Sequence, residues 1–236
     1  MSPAPGEEKD PHYKLLLGRL FDRLQSKYPE HEALPAASIP DELVGHVVQH
    51  RFRAAPNEWP LIQLGPGVLT LNETAKYTWT DFERRAQEAI VALHDAHPKV
   101  ADLKIQTILL RYIDAVEFDF SKEDAFDFLR NYLKVELRFP DGLFAYPGID
   151  RLPRSSVWQT TFLCRNPPGR VGVSFATGQK ADGRAILWET TVQSAGDDLP
   201  AMPDGFPKWL ESAHNITSDW FFKLIDGELE RRFDGE

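Results

Sequence analysis

Apolar residues recur with helical spacing in four segments of the chain. In the first segment the stripe runs from Leu16 to Leu24 and stops before Pro29, which cannot continue a helix. In the second, Thr80 and Glu83 have the spacing of a capping box. The pattern predicts four helices, which begin near Tyr13, Thr80, Ser121 and Pro207.

Alternation of apolar and polar residues predicts seven strands between these helices. The turn Gly65-Pro66-Gly67 joins two of them into a hairpin within 59–72. The segment from Leu103 to Phe118 has apolar residues on both faces, which is typical of a central strand covered on both sides. The remaining strands are predicted at 44–53, 158–165, 170–177 and 184–193.

This order of elements predicts an α+β fold built from two pseudo-duplicated α-βββ-α units. The units cover about 12–98 and 121–233, and a central strand at 103–118 joins them within a single domain at 12–236. We expect a mainly antiparallel sheet with helices packed on one face, and we expect its other face to be available for binding. Residues 1–11 are predicted to be a disordered tail, because they are polar and proline-rich.

Composition and charge exclude several functional classes. The 236 residues include 27 Lys and Arg against 36 Asp and Glu, a net charge of −9, which disfavours nonspecific binding to nucleic acid or anionic membranes. No stretch has the roughly 18 apolar residues of a membrane helix, and the first residues lack the features of a signal peptide. The single cysteine, Cys164, excludes an intramolecular disulfide and fits a reducing compartment. A cytoplasmic protein is therefore expected.

Seven histidines raise the question of a metal site. His46 and His50 fall on the same side of a strand, and His94 and His97 lie three residues apart near a helix end. Neither pair has a cysteine or carboxylate at ligand spacing, and there is no HExxH motif. The sequence predicts no metal and no cofactor.

Arg111, Tyr112 and Asp114 on the long strand form one candidate site. Arg111 has apolar neighbours on its own face, so it either clamps an anionic ligand or pairs with an acidic residue such as Asp114, Glu117 or one elsewhere in the chain. Acidic residues cluster from Asp114 to Asp127, and they either perform acid–base chemistry or cap the following helix.

A second candidate site surrounds the hairpin turn and the start of the second helix. Gln63, Asn72, Tyr77 and Trp79 lie there, together with glycines that could allow a backbone to approach closely. The glycine spacing matches no phosphate-binding motif. The alternative is a tight turn with an aromatic residue at the helix start.

Two sequence blocks resemble a sporadically distributed prokaryotic protein family of about this size. Its members share a Q-L-G-P … L-T-x-N … Y-x-W-x-x-F block and an L-R-Y-I-D/N block. The matching residues are Gln63, Leu64, Gly65, Pro66, Asn72, Tyr77, Trp79, Phe82, Leu110, Arg111, Tyr112, Ile113 and Asp114. The resemblance implies a further strand before the first helix in related chains, and it implies no activity, cofactor or catalytic residue.

Two classes of function follow. The first is a non-catalytic interaction or regulatory protein, encoded in an accessory locus of the defence or toxin–antitoxin type, which holds another protein or a second copy of itself. It would use the open sheet face, a strand edge or the long loop at 139–154. The alternative is a small-molecule-binding protein or enzyme with a pocket between sheet and helices near Arg111. No catalytic motif supports the alternative, so the first class is preferred.

Overall fold

The computed structural model describes residues 11–39, 46–149, 153, 155–180 and 183–234. The helices within these ranges are α1 (Tyr13–Leu24), α2 (Trp79–Ala96), α3 (Ala125–Tyr132), α4 (Phe206–Ile225) and α5 (Glu228–Asp234). The strands are β1 (Glu30–Ala33), β2 (His50–Arg53), β3 (Leu61–Gly65), β4 (Val68–Asn72), β5 (Thr107–Glu117), β6 (Val157–Arg165), β7 (Pro168–Lys180) and β8 (Gly183–Ala195). None of these helices is both long enough and apolar enough to cross a membrane.

The chain divides into two compact units. The first unit contains the residues up to Ile105 together with Ala201–Pro207. Its antiparallel sheet has the order β1-β2-β3-β4. Helices α1 and α2 cover one face of this sheet, because the stripe of each helix packs on alternate strand residues. The core contains Tyr13, Leu16, Leu20, Leu24, Tyr28, Phe52, Ile62, Leu64, Ala89, Leu93 and Ala96.

The second unit contains Gln106–Pro200 and the residues from Lys208 onwards. Its antiparallel sheet has the order β5-β8-β7-β6. Helices α3, α4 and α5 pack on one face, which we call the covered face; the opposite face is the outer face. The core beneath them contains Phe118, Ala125, Phe128, Leu129, Leu133, Val173, Phe175, Ile186, Trp188, Ile225 and Leu229.

The predicted α+β class with antiparallel strands is confirmed, but there are two sheets of four strands in place of one. The prediction that 103–118 is a central strand is wrong, because β5 lies at the edge of the second sheet. Its apolar residues on the outer face, Leu109 and Ile113, are more than half exposed. The apolar residues on both faces of β5 therefore do not show that other elements cover both faces of the strand.

Several element boundaries differ from the sequence prediction. The segment between Pro29 and residue 44, for which the sequence predicts neither helix nor strand, contains the short strand β1. Helix α2 begins one residue before Thr80, and Thr78 is its N-cap residue. Helix α3 begins after Asp124, whose carboxylate accepts a hydrogen bond from the backbone N–H of Phe126 at 2.8 Å. An aspartate at this position stabilises the helix start by accepting from a backbone N–H of the first turn that has no partner within the helix.

The internal duplication stays a prediction. Both units contain a helix, three consecutive strands in meander order and a second helix. The fourth strands differ, since β1 pairs with the first strand of its meander and β5 with the last strand of the other. The predicted disordered tail at 1–11 lies outside the described residues except for Pro11.

Candidate functional site

Arg111 lies on the outer face of β5 and pairs with Glu189 on the neighbouring strand β8. Its guanidinium donates to the Glu189 carboxylate at 2.5 Å. The two side chains are 51% and 28% exposed, so this is a surface ion pair. Arg111 therefore pairs with an acidic residue, as one of the two interpretations expected, but not with Asp114 or Glu117. Glu189 is 78 positions away in the sequence and comes close through the pairing of β5 with β8.

Replacing Arg111 with alanine is expected to lower the free energy of unfolding by less than about 1 kcal/mol, because exposed ion pairs contribute little. Urea unfolding followed by circular dichroism measures this change. Arg130→Ala, which removes an exposed pair with Asp127 on α3, is the matched control. A loss of several kcal/mol for Arg111→Ala alone would contradict this description of the pair.

Tyr112 and Asp114 lie on the covered face of β5, opposite to Arg111. The Tyr112 hydroxyl is 3.0 Å from Nδ1 of His214 on α4. Burial lowers the pKa of His214 and raises the pKa of Asp114 from 3.8 to about 6. The three candidate residues of this strand are therefore divided between two faces and do not form one site.

Gln63 and Asn72 meet on the face of the first sheet that lies opposite to its helices. The Asn72 amide donates to the Gln63 side-chain oxygen at 3.0 Å and to the Thr70 hydroxyl at 2.8 Å. The Thr70 hydroxyl also donates to Gln63, at 3.2 Å. These hydrogen bonds join the three side chains within the β3-β4 hairpin, as expected for a structural network.

Tyr77 and Trp79 both contact Phe82 at the start of α2, with ring centroids 5.7 and 6.4 Å apart respectively. Gly65 meets the backbone so closely that an added Cβ would lie 2.0 Å from the Val47 carbonyl oxygen. Gly67 has a φ of +70°, as its turn requires. These features match the interpretation of a tight turn followed by an aromatic helix start.

The histidines do not assemble a metal centre in the part of the chain that the structure describes. There is no group of three or more His, Cys, Asp or Glu side chains with a suitable arrangement there. His50 instead contacts His31 on the adjacent strand, with Nδ1 and Nε2 3.0 Å apart. Burial and the neighbouring His31 lower the pKa of His50.

An apolar groove in the second unit was not predicted from the sequence. It has a volume of about 290 Å³ and lies between α4, the segment after α3 and strands β6 and β7. Its floor is buried, whereas Phe162 is 49% exposed and packs edge-to-face on Trp220. The lining residues are Val135, Trp158, Phe162, Val173, Phe175, Trp220, Lys223 and Leu224.

The residues that line this groove are up to 89 positions apart, from Val135 to Leu224, so no local sequence motif predicts it. One signal was available in the sequence. Strand β6 carries large apolar residues on both faces, Phe162 and Leu163, although it is too polar elsewhere to be buried on both sides. An exposed apolar side chain on at least one face of β6 could have been inferred from that pattern.

Two further surfaces are related to the groove: a polar hollow that adjoins it, and an exposed apolar segment that follows one of its lining residues in the chain. A polar hollow on α4 and α5 shares Lys223 with the groove and contains the carboxylates of Asp219, Asp226 and Glu230. The segment 139–149, which follows Val135 in the chain, exposes several large apolar side chains. They are Phe139, Leu143, Tyr146 and Ile149.

No protein-family model, curated protein or solved structure matches the chain. The family resemblance described above therefore stays a prediction.

The chemistry open to these surfaces differs. The ion pair of Arg111 lies on an exposed sheet face, and the groove contains one ionisable side chain, that of Lys223. The groove is suited to burying apolar side chains of a bound molecule, since its walls are aromatic and aliphatic.

Proposed function

We propose that this is a non-catalytic protein-binding protein, and that the groove beside β6 holds an apolar segment of another protein. The observation that supports this proposal is the almost wholly apolar lining of an open groove, with a half-exposed phenylalanine at its rim. Large exposed apolar patches on a folded protein are typical of interaction sites.

The energetics fit a side-chain anchor. Full burial of one large apolar side chain contributes roughly 1.5–3 kcal/mol. Two or three such side chains give weak to moderate affinity once the loss of motional freedom on binding is included. Tryptophan is enriched among the residues that dominate binding energy in protein interfaces, and Trp158 and Trp220 both line the groove. Phe162 adds a third aromatic ring.

The polar hollow next to the groove adds a preference for charge. Asp219, Asp226 and Glu230 outnumber the single basic side chain, Lys223, in its lining. A partner segment in which a Lys or Arg follows the apolar residues would place its cation beside these carboxylates. Electrostatic complementarity of this kind raises association rates and selects partners.

A protein segment fits the groove better than a small molecule does. Small-molecule sites usually have volumes of about 300–1,000 Å³ and enclose most of the ligand. The groove, at about 290 Å³, lies at the lower end of that range and is open along one side. It also lacks the several convergent polar groups that orient a small ligand.

Selection from a random peptide library displayed on phage tests this function. The expected result is enrichment of peptides with two or more large apolar residues and an adjacent Lys or Arg. Synthetic copies of these peptides should bind to the wild-type protein in fluorescence anisotropy, and their affinity should fall at least about tenfold with Phe162→Thr, which corresponds to about 1.4 kcal/mol.

Leu163→Thr is the matched control, because it removes a neighbouring apolar side chain from the opposite face of the same strand. It should leave peptide affinity unchanged. Equal losses for the two variants, or no loss with Phe162→Thr, would contradict a binding site in the groove.

A further inference from the structure

The second unit has another exposed feature besides the groove, which is the edge of β6 that faces away from β7. Among the described residues, β6 pairs with β7 only and forms the end of the sheet. The N–H of Thr177 donates to the carbonyl of Ser156, so Ser156 and the alternate residues that follow it direct their backbone groups to β7. The outward-directed backbone groups therefore belong to Val157, Gln159, Thr161, Leu163 and Arg165.

This edge lacks the usual protection against pairing with another strand. Exposed edges are normally interrupted by proline, lysine or other charged residues. Strand β6 contains no proline or lysine, and its one charged residue, Arg165, lies at its end. The side chains of Val157 and Leu163 are 80% and 87% exposed. One edge strand of the first sheet offers a contrast, because β1 carries Glu30 and Glu32 among its four exposed residues.

In the antiparallel direction β6 can be aligned with a second copy of itself without opposing like charges. With Thr161 on a twofold axis, Thr161 faces its own copy, Gln159 faces Leu163, and Val157 faces Arg165. All five outward-directed residues then find outward-directed partners in the second strand. No two like charges oppose each other, and a threonine pair is a favourable cross-strand pair.

We propose that β6 pairs with β6 of a second copy of this chain, antiparallel and centred on Thr161, to form a homodimer with one continuous eight-stranded sheet. The nine residues of β6 give a paired edge about 30 Å long. Twofold pairing of identical edges is the simplest closed assembly for such a strand.

The dimer also extends the proposed binding groove. On the covered face, Phe162 of the second copy lies opposite Thr160, and Trp158 lies opposite Cys164 of the second copy. The grooves of the two copies therefore meet at the twofold axis, and each receives an aromatic side chain from the other chain. This inference goes beyond the proposed function and does not require it.

Light scattering coupled to size exclusion tests the dimer, with an expected mass of twice the 26.9 kDa of one chain. Thr161→Pro removes an outward N–H at the centre of the paired edge, and an edge strand tolerates proline where its N–H faces outward. This variant should have the mass of one chain. Thr161→Val keeps the N–H and the branched side chain and should remain dimeric.

A charge exchange tests the register and does not depend on proline being tolerated. The double variant Gln159→Lys, Leu163→Lys places two lysines opposite each other on both sides of the axis and should be monomeric. The double variant Gln159→Glu, Leu163→Lys places Glu opposite Lys and should be dimeric. Gln159 and Leu163 are both exposed on the outer face, so neither double variant disturbs the core.

Monomeric wild-type protein at its highest soluble concentration would overturn the proposal, as would identical masses for the two charge variants. Monomeric wild-type protein that loses peptide binding with Thr161→Pro would also overturn it, and would show that the edge accepts a foreign strand. Failure of the groove function is distinguished by Phe162→Thr, which changes peptide affinity only if the groove binds peptides.

Discussion

Replacement of Trp188 with alanine is expected to lower the free energy of unfolding by about 3–5 kcal/mol, the usual loss for removing a large aromatic side chain from a core. Trp188 is fully buried at the centre of the second sheet. Its ring stacks on Phe221 with centroids 6.4 Å apart and meets Phe233 edge-on at 6.2 Å. These rings come from the two C-terminal helices, so the change should weaken the attachment of α4 and α5 to the sheet.

Urea unfolding followed by circular dichroism measures this effect, and two variants serve as controls. Trp188→Phe keeps most of the volume and removes an indole N–H that has no acceptor among the described residues, so its expected loss is about 1–2 kcal/mol. Phe222→Ala removes a half-exposed ring from α4 and should change stability by less than about 1 kcal/mol. Equal losses for Trp188→Ala and Phe222→Ala would contradict the assignment of the core.

Replacement of Asp114 with asparagine is expected to stabilise the protein at pH 7 by up to about 3 kcal/mol, since each unit of pKa difference corresponds to about 1.4 kcal/mol. Burial on the covered face of β5 raises the pKa of this carboxyl from 3.8 to about 6, so its ionised form destabilises the folded state. The penalty is absent below about pH 4, grows as the pH rises to about 6, and is complete above it. Asparagine resembles the neutral acid and does not ionise.

The difference in stability between Asp114→Asn and the wild type isolates this effect from other titrating groups. Burial lowers the pKa of His214, so protonation of this residue destabilises the fold as the pH falls. His214 is present in both proteins, so its effect cancels in the difference. The difference should be largest at pH 7 and vanish near pH 4. Glu117→Gln, on the outer face of the same strand, should change stability by less than about 0.5 kcal/mol at either pH. A constant difference across this range would contradict the burial of Asp114.

Much of the fold was predictable because its signals are local. The stripe from Leu16 to Leu24 has helical period, and Gly65-Pro66-Gly67 favours a tight turn, so α1 and the first hairpin follow from nearby residues. The position of β5 was not predictable in this way. Strand order depends on which strands pair with each other. Strand β5 pairs with β8, which is distant in the chain, as in the pair of Arg111 with Thr191. Leu109 and Ile113 then misled the prediction, because an exposed apolar residue has the same sequence signature as a buried one.

The candidate sites show the same limit. Gln63 and Asn72 were expected to lie together, since one hairpin carries both, and they do share hydrogen bonds. The sequence does not identify the partner of Arg111, because Glu189 comes close to it only through strand pairing. The groove was missed because its walls come from α4, β6, β7 and the segment after α3, and its shape is a property of packing between elements that no single segment encodes.

The most direct test of the proposed function is the response of the tryptophan indole N–H signals to a selected peptide in ¹H–¹⁵N nuclear magnetic resonance spectra. The chain has six tryptophans, each of which can be assigned by a Trp→Phe variant. Peptide binding in the groove should shift the signals of Trp158 and Trp220 and leave those of Trp59 and Trp79, in the first unit, unchanged. Shifts at Trp59 or Trp79, with Trp158 and Trp220 unaffected, would contradict the claim that this protein binds its partner through the groove beside β6.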